Sequence, residues 1–400
     1  MKNRIFTTVV LFTAFVYTNR LNAQGEGAAI LKAGTQDANK ILNAYMSPLF
    51  KGFASGSTAG WYNTARTHGM GGFDITLSLP LFTVPEEENS YTFNSLGLGS
   101  GPYSFSPKTA GTDPGTKLGT LFGPAVGDQQ YNINYGFSFD TVIGGNPVRL
   151  DTSILIGSIT MPPGGNVPIA PSIPPAMQLS VGVYKNTDVM LRILPEVTLY
   201  EGFKASMLGF GVKHDIKQWI PAIKELPLWD WSVIFGYTSF NATYTIPESN
   251  RLKVDGNPEY QLAYNAGDFA GKTYANQRFE FNGSGWMLGT IISARLLFFT
   301  PYLGINYNRA TTSFAMLGDY PLLIAETDKN NPNFGKSKVT ELNDPIKIEG
   351  SVSGLRINPG FRIKMLVMTL HYDFSWNTYG YHLHTVGLGV NVQSLLPPSL

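Results

Sequence analysis

The chain has no cysteine. Disulfide frameworks, thiolate nucleophiles and cysteine-based metal sites are excluded together. Charge is also scarce. Asp, Glu, Lys and Arg make up 14% of the 400 residues, against about 25% in an ordinary soluble domain. With a net charge of +1 and no basic run, nucleic acid would find no electrostatic footprint. Past the extreme N-terminus the unbroken apolar runs are short, such as Leu296–Phe299 and Met365–Met368, whereas a membrane helix needs about 20 residues. What remains is too apolar for disorder, with 43% hydrophobic and 13% aromatic residues.

The first residues read as an export signal. Lys2 and Arg4 precede the apolar stretch Ile5–Tyr17, and Leu21-Asn22-Ala23 supplies a small residue at a cleavage edge. The expected organisation is a signal peptide over residues 1–23, a helical plug or cap over 24–60 and a barrel over 61–400.

Period two dominates the rest. Phe73, Ile75, Leu77, Leu79 and Leu81 alternate with Asp74, Thr76 and Ser78, as do the residues of Tyr131–Phe139, Leu366–Trp376 and Val386–Val392. Clear stretches also lie at Met177–Val183, Leu208–Val212, Trp229–Tyr237, Gln277–Phe281 and Pro301–Tyr307. Weaker ones lie near Val148–Ile156, Asp188–Tyr200, Trp286–Leu296, Thr312–Leu317 and Val352–Ile363. Several have the length of a tilted bilayer-crossing strand, with Tyr or Trp at the ends of the apolar face and small polar residues opposite. In lipid such a sheet must close. The expectation is an all-β membrane protein, an antiparallel transmembrane barrel of about 14 strands (range about 12–16) in the outer membrane of a Gram-negative bacterium.

One helical period stands before it. Ile41, Leu42, Tyr45, Met46, Leu49 and Phe50 recur at helix spacing, with Asp37 as the expected N-cap and a break expected at Pro48. This stripe is the candidate ligand wall or plug. A second short piece, with Ile216, Trp219 and Ile220 on one face, suits a turn at the membrane–water boundary.

Gly60-Trp61-Tyr62-Asn63-Thr64-Ala65 with Gly71-Gly72-Phe73-Asp74, and Gly209-Phe210-Gly211-Val212-Lys213-His214-Asp215-Ile216 with Trp219 and Pro221, carry a resemblance. The chain resembles a family of Gram-negative outer-membrane barrels that is distantly similar to the long-chain fatty-acid transporters. That resemblance implies about 14 strands, an N-terminal plug and passage of hydrophobic molecules.

Chemistry is sparse. His371, Asp373 and Ser375 share the polar face of one strand with Thr369, but successive same-face residues stand about 6–7 Å apart, too far for a relay. These four are expected to line the lumen. His382-x-His384 lacks a third metal ligand at recognisable spacing, Glu86-Glu87-Glu88 suits a solvated loop, and no G-x-S-x-G elbow occurs. Neither catalysis, cofactor nor metal is expected. Two functions follow: passive transport of a hydrophobic small molecule past the helix, or a scaffold that binds periplasmic or surface partners. A continuous cavity would favour the first, and a lumen filled by interlocking side chains the second. Both place outer-membrane lipid around the barrel. Leu370→Arg is expected to impair assembly, and Thr369→Arg to be better tolerated.

Overall fold

A computed structural model describes residues 30–126, 129–172 and 176–392; the expected signal peptide lies outside them. Ten strands close one antiparallel sheet, each hydrogen-bonded to its neighbours in sequence order and the last to the first. They are β1 (Phe73–Thr83), β2 (Ala176–Gly182), β3 (Thr187–Tyr200), β4 (Phe203–Asp215), β5 (Trp229–Thr245), β6 (Arg278–Ala294), β7 (Phe299–Leu317), β8 (Ile346–Met365), β9 (Met368–Asn377) and β10 (Leu383–Asn391). A short extra strand, Ile169–Pro171, pairs with the end of β1.

This corrects the expected count of about 14. Two of the alternating stretches, at Tyr131 and Val148, form a hairpin (Gln130–Ile143 with Asn146–Thr160) outside the barrel. Two other pairs of stretches each fuse into one long strand: Gln277–Phe281 with Trp286–Leu296 in β6, and Pro301–Tyr307 with Thr312–Leu317 in β7. Small inward residues such as Gly283 and Gly285 interrupt the alternation without interrupting the ladder.

The two barrel ends differ. One carries short connections (residues 183–186, 216–228, 295–298 and 366–367) and both ends of the sheet. The other carries residues 84–126 with 129–172, 246–277 and 318–345, besides the tight links 201–202 and 378–382. The strands also differ in height. β5 to β8 run 17 to 20 residues, while β2, β9 and β10 run 7 to 10. The tall strands rise as a wall at the long-loop end, and the described residues of the insertion between β1 and β2 (84–126 and 129–172) pack against the other side of the N-terminal helix.

Helix α1 (Thr35–Ser57) lies between the two. Gly34, at φ 84, rather than Asp37, occupies its N-cap. Asp37 instead accepts hydrogen bonds from the Gly99 and Ser100 N–H groups and the Ser100 hydroxyl. Burial opposes its charge, but the Ser100 and Gly99 donors outweigh that and hold its carboxyl below the usual range. The helix continues through Pro48. An internal proline costs about 3 kcal/mol. Ile41, Tyr45, Met46, Leu49 and Phe50, all buried, each return about 1.5–3 kcal/mol, so tertiary burial wins. Among the described residues no helix is long and apolar enough to cross a membrane.

Candidate functional site: a lumen filled by an N-terminal thread

After α1 the chain runs through the barrel from the long-loop end to the short-turn end and then turns back into β1. Residues 58–70 are this thread, and every level of the lumen meets part of it or of α1.

The uppermost level is aromatic. Phe50 stacks on Phe281 and Phe314 at 5.8 and 6.2 Å, and Phe53 meets Phe281 edge-on at 5.1 Å. Below it the helix C-terminus leaves carbonyls without intrahelical donors. Arg356 of β8, 2% exposed, supplies donors to them. Its guanidinium donates to Ser55 O at 2.8 Å, Thr58 O at 3.0 Å and Thr58 Oγ1 at 3.0 Å, and Nε to Asn377 Oδ1 at 2.9 Å. A cation at a helix C-terminus also suits the helix dipole.

At mid-height Trp61 and Tyr62 fill the cross-section. Trp61 is 1% exposed, with the Arg192 guanidinium 4.2 Å from its ring centroid. Three inward glycines make its seat. A Cβ on Gly209, Gly211 or Gly236 would come within 2.7 to 3.1 Å of the indole. Tyr62 is fixed by Asn358 Oδ1 at 2.5 Å and Asn306 Nδ2 at 2.6 Å, above Gly304, where a Cβ would lie 1.9 Å from its hydroxyl.

The lower level is ionic. The His68 ring bridges Asp188 at 3.1 Å and Asp74 at 3.4 Å, and Lys213 reaches Asp188 at 3.1 Å. Lys213 also donates to Arg66 O at 2.8 Å, while Ser232 and Ser293 hold Ala65 through its carbonyl and N–H. Through these contacts the wall grips the lower end of the thread.

The expected site residues divide between two places. Ile41, Tyr45, Met46, Leu49 and Phe50, with Leu42 half-buried beside them, pack in the main apolar core with Ile133, Met207, Phe240 and Ile348. They sit against wall and insertion side chains. Thr369, His371, Asp373 and Ser375 are all buried and inward. Asp373 accepts from Tyr302 at 3.1 Å and Ser375 at 3.2 Å, while His371 faces Ser78 at 3.4 Å. His382 Nδ1 accepts from the Asn377 N–H at 3.3 Å, and His384 Nδ1 lies 2.9 Å from the Tyr372 hydroxyl. Among the described residues no group of three or more His, Asp or Glu side chains is placed to hold a metal ion. Glu88, expected in a solvated loop, joins Lys51 of α1 at 2.7 Å and Tyr381 at 2.5 Å.

The sequence reading passed over Trp61, Arg192, Arg356 and His68 as site residues. A signal for Trp61 was present: the two quoted patches, around Trp61 and around Gly209-Phe210-Gly211, are one contact in space.

A family described as a family of unknown function (DUF6588) matches residues 1–392. The chain belongs to DUF6588. No curated protein matches it. Among solved structures, Ail, the attachment invasion locus protein of Yersinia pestis, is similar over 80% of this chain and 98% of its own, at 6% identity and a TM-score of 0.22. The transport unit of the autotransporter AIDA-I from Escherichia coli is similar over 89% and 98%, at 8% identity and 0.23. The translocator domain of autotransporter NalP from Neisseria meningitidis is similar over 80% and 88%, at 8% and 0.22. Likenesses this low carry no argument about function. The expected resemblance is corrected accordingly: the family is DUF6588, not specifically the fatty-acid transporters, and its barrel here closes with ten strands.

Proposed function

We propose that this DUF6588 member is an outer-membrane barrel that acts as a closed scaffold, presenting its insertion and tall wall to a partner rather than conducting a solute. The membrane part rests on the outward face. Ile75, Leu77, Leu191, Phe210, Phe235, Leu288, Ile305, Ile357, Leu370 and Leu388 point outward and exposed, which in water would be an apolar patch far beyond what a soluble monomer carries. Tyr237, Trp286 and Tyr307, on adjacent strands, edge this belt toward the long loops, and Ser239, Ser284, Arg309 and Ser353 follow above them. An apolar band edged by an aromatic girdle is the surface a bilayer requires.

The scaffold part rests on one observation: thread and helix occupy the lumen at every level just described. Passive transport of a hydrophobic small molecule, the other expected function, requires that filling to move. Purified protein reconstituted in a planar bilayer should give no steady conductance, and cells lacking it should take up hydrophobic compounds unchanged while a cross-linked partner is lost. Stepwise conductance of the intact chain, or altered uptake, would overturn the scaffold reading. Recovery of the protein as a soluble periplasmic species would overturn the membrane reading.

A further inference from the structure

The short-turn end carries apolar side chains where water-facing turns ordinarily place polar ones. Leu297 is 99% exposed and Leu366 90%, each at the tip of a hairpin turn. Both hold left-handed backbone, φ 53 and φ 56, a conformation glycine or asparagine adopts at far less steric cost. Leucine at such a position is strained, and two different turns carry it. Tyr184, Trp219 and Phe298 are also largely exposed. Each of the four short connections, or the strand end beside it, has a basic residue as well: Lys185, Lys224, Arg295 and Lys364. Lys185 lies over the Tyr184 and Trp219 rings at 5.3 and 5.7 Å, Arg295 pairs with Asp230 at 3.1 Å, and Lys364 donates to Asn391 at 3.2 Å. The acids at this end are Glu225, exposed, Asp215, turned to the Lys217 N–H, Asp230, and the inward pair Asp74 and Asp188, which are engaged with His68 and Lys213.

Height decides what covers this rim. From the girdle residue Tyr237 down to Trp229 at the end of β5, a strand rising about 3.3 Å per residue and tilted about 40° makes a belt roughly 20 Å tall. The apolar band of an outer-membrane barrel is about 25 Å tall. The shortfall, about 5 Å, reaches past the strand ends into the turns. The apolar tips continue the belt through Phe299, Ile363 and Met368, and they occur in all four connections around the ring. A protein partner would cover one side; a lipid leaflet covers the circumference.

We infer that the short-turn rim is a phospholipid-binding collar: Leu297, Phe298, Leu366 and Trp219 sit among the acyl-chain ends of headgroups in the inner leaflet, and Lys185 and Lys224 take lipid phosphate. The inference rests on the membrane reading above and goes further by fixing the depth of the barrel. Because the chain has no cysteine, single-site labels report each position without background. Leu297→Cys, Leu366→Cys, Leu370→Cys and Ser353→Cys are each labelled with an environment-sensitive fluorophore and reconstituted in vesicles of phosphatidylethanolamine and phosphatidylglycerol. The heat-shifted gel mobility of a closed barrel checks that each variant has folded. The expected result is blue-shifted emission at 297 and 366, quenched by spin labels near the headgroup, with 370 quenched by deep spin labels and 353 unquenched by them. Emission typical of water at 297 and 366 while 370 stays quenched would overturn the collar and leave the membrane reading standing. Emission typical of water at 370 as well would overturn both.

Discussion

Arg356 carries its charge into the barrel with carbonyl and side-chain oxygens, not carboxylates, as its hydrogen-bond partners. Two of those oxygens, Ser55 O and Thr58 O, are backbone carbonyls at the helix end, where intrahelical donors run out. Arg356→Met removes every donor at once while keeping much of the volume. Leaving buried acceptors unpaired costs about 1–3 kcal/mol each, so loss of about 3 kcal/mol is expected in urea unfolding from vesicles, with protease reaching α1 first. Glu326, in the 318–345 connection, presents the opposite case. Its carboxylate accepts from Tyr264, Lys338 and Asn331 at 2.6, 2.9 and 3.0 Å, and from the Asp328 N–H at 3.0 Å. The Tyr264 hydroxyl, then the Asp328 N–H and Lys338, lower its pKa from 4.5 to about 2. A depressed carboxylate stabilises the fold fully above its unfolded value and ceases to do so as pH falls through the folded one. Protection of this loop against hydrogen exchange should therefore decline between about pH 4.5 and 2. Glu326→Gln should lower protection at neutral pH and remove most of that decline; an unchanged profile in the variant would refute the assignment.

At the scale of elements, the thread is held by hydrogen bonds to both its side chains and its backbone, spread over strands β2 to β8 and β10. That is the pattern of a permanent filling rather than of a gate hung on one hinge. Thr64 Oγ1 and Ser293 Oγ lie 3.3 Å apart, so Thr64→Cys with Ser293→Cys offers a reversible tie between thread and wall. Oxidation should leave partner binding and uptake unchanged if the filling is permanent; uptake lost on oxidation and restored by reductant would favour transport. The strand faces were legible in the sequence because period two survives any tertiary context, as at Phe73–Leu81 and at Leu366–Trp376, of which the structure keeps Met368–Trp376 in the strand and turns 366–367 into the hairpin. The number of strands was not legible. Alternation says that a face exists, not what covers it, so the hairpin at Gln130–Thr160 read like barrel wall. The helix stripe was legible as a helix, but periodicity measures an apolar face and α1 is buried on the other sides too: Ala54, Ser55 and Ser57 are buried beside Phe50. The ionic level at His68 could not be read at all, since Asp74, Asp188 and Lys213 meet there only once the sheet has closed.

For the whole molecule, the filled lumen changes what the two faces of a strand tolerate. Leu370 points outward, and an arginine there at mid-bilayer costs about 2–4 kcal/mol, so Leu370→Arg should lower the amount of assembled protein in the outer membrane. Thr369 points inward, and the expectation that arginine would be better tolerated there than at Leu370 meets a filled lumen. Thr369 is 4% exposed, its hydroxyl lies 2.7 Å from where a Cβ on Gly389 would stand, and Lys364 is its cross-strand partner. Arginine would meet both a packed neighbour and a like charge, so both substitutions should reduce assembly, while Thr369→Ser should not. The same asymmetry of ends assigns a direction. Barrels of this kind keep short turns on the periplasmic side and long loops outside, so the membrane reading would put the hairpin tip at Val142, 67% exposed, on the cell surface and Tyr184 on the inner side. A membrane-impermeant maleimide applied to intact cells should then label Val142→Cys and spare Tyr184→Cys until the outer membrane is permeabilised. The reverse order would turn the molecule over: the wall and insertion would face the periplasm, and the partner of the scaffold would have to be sought there.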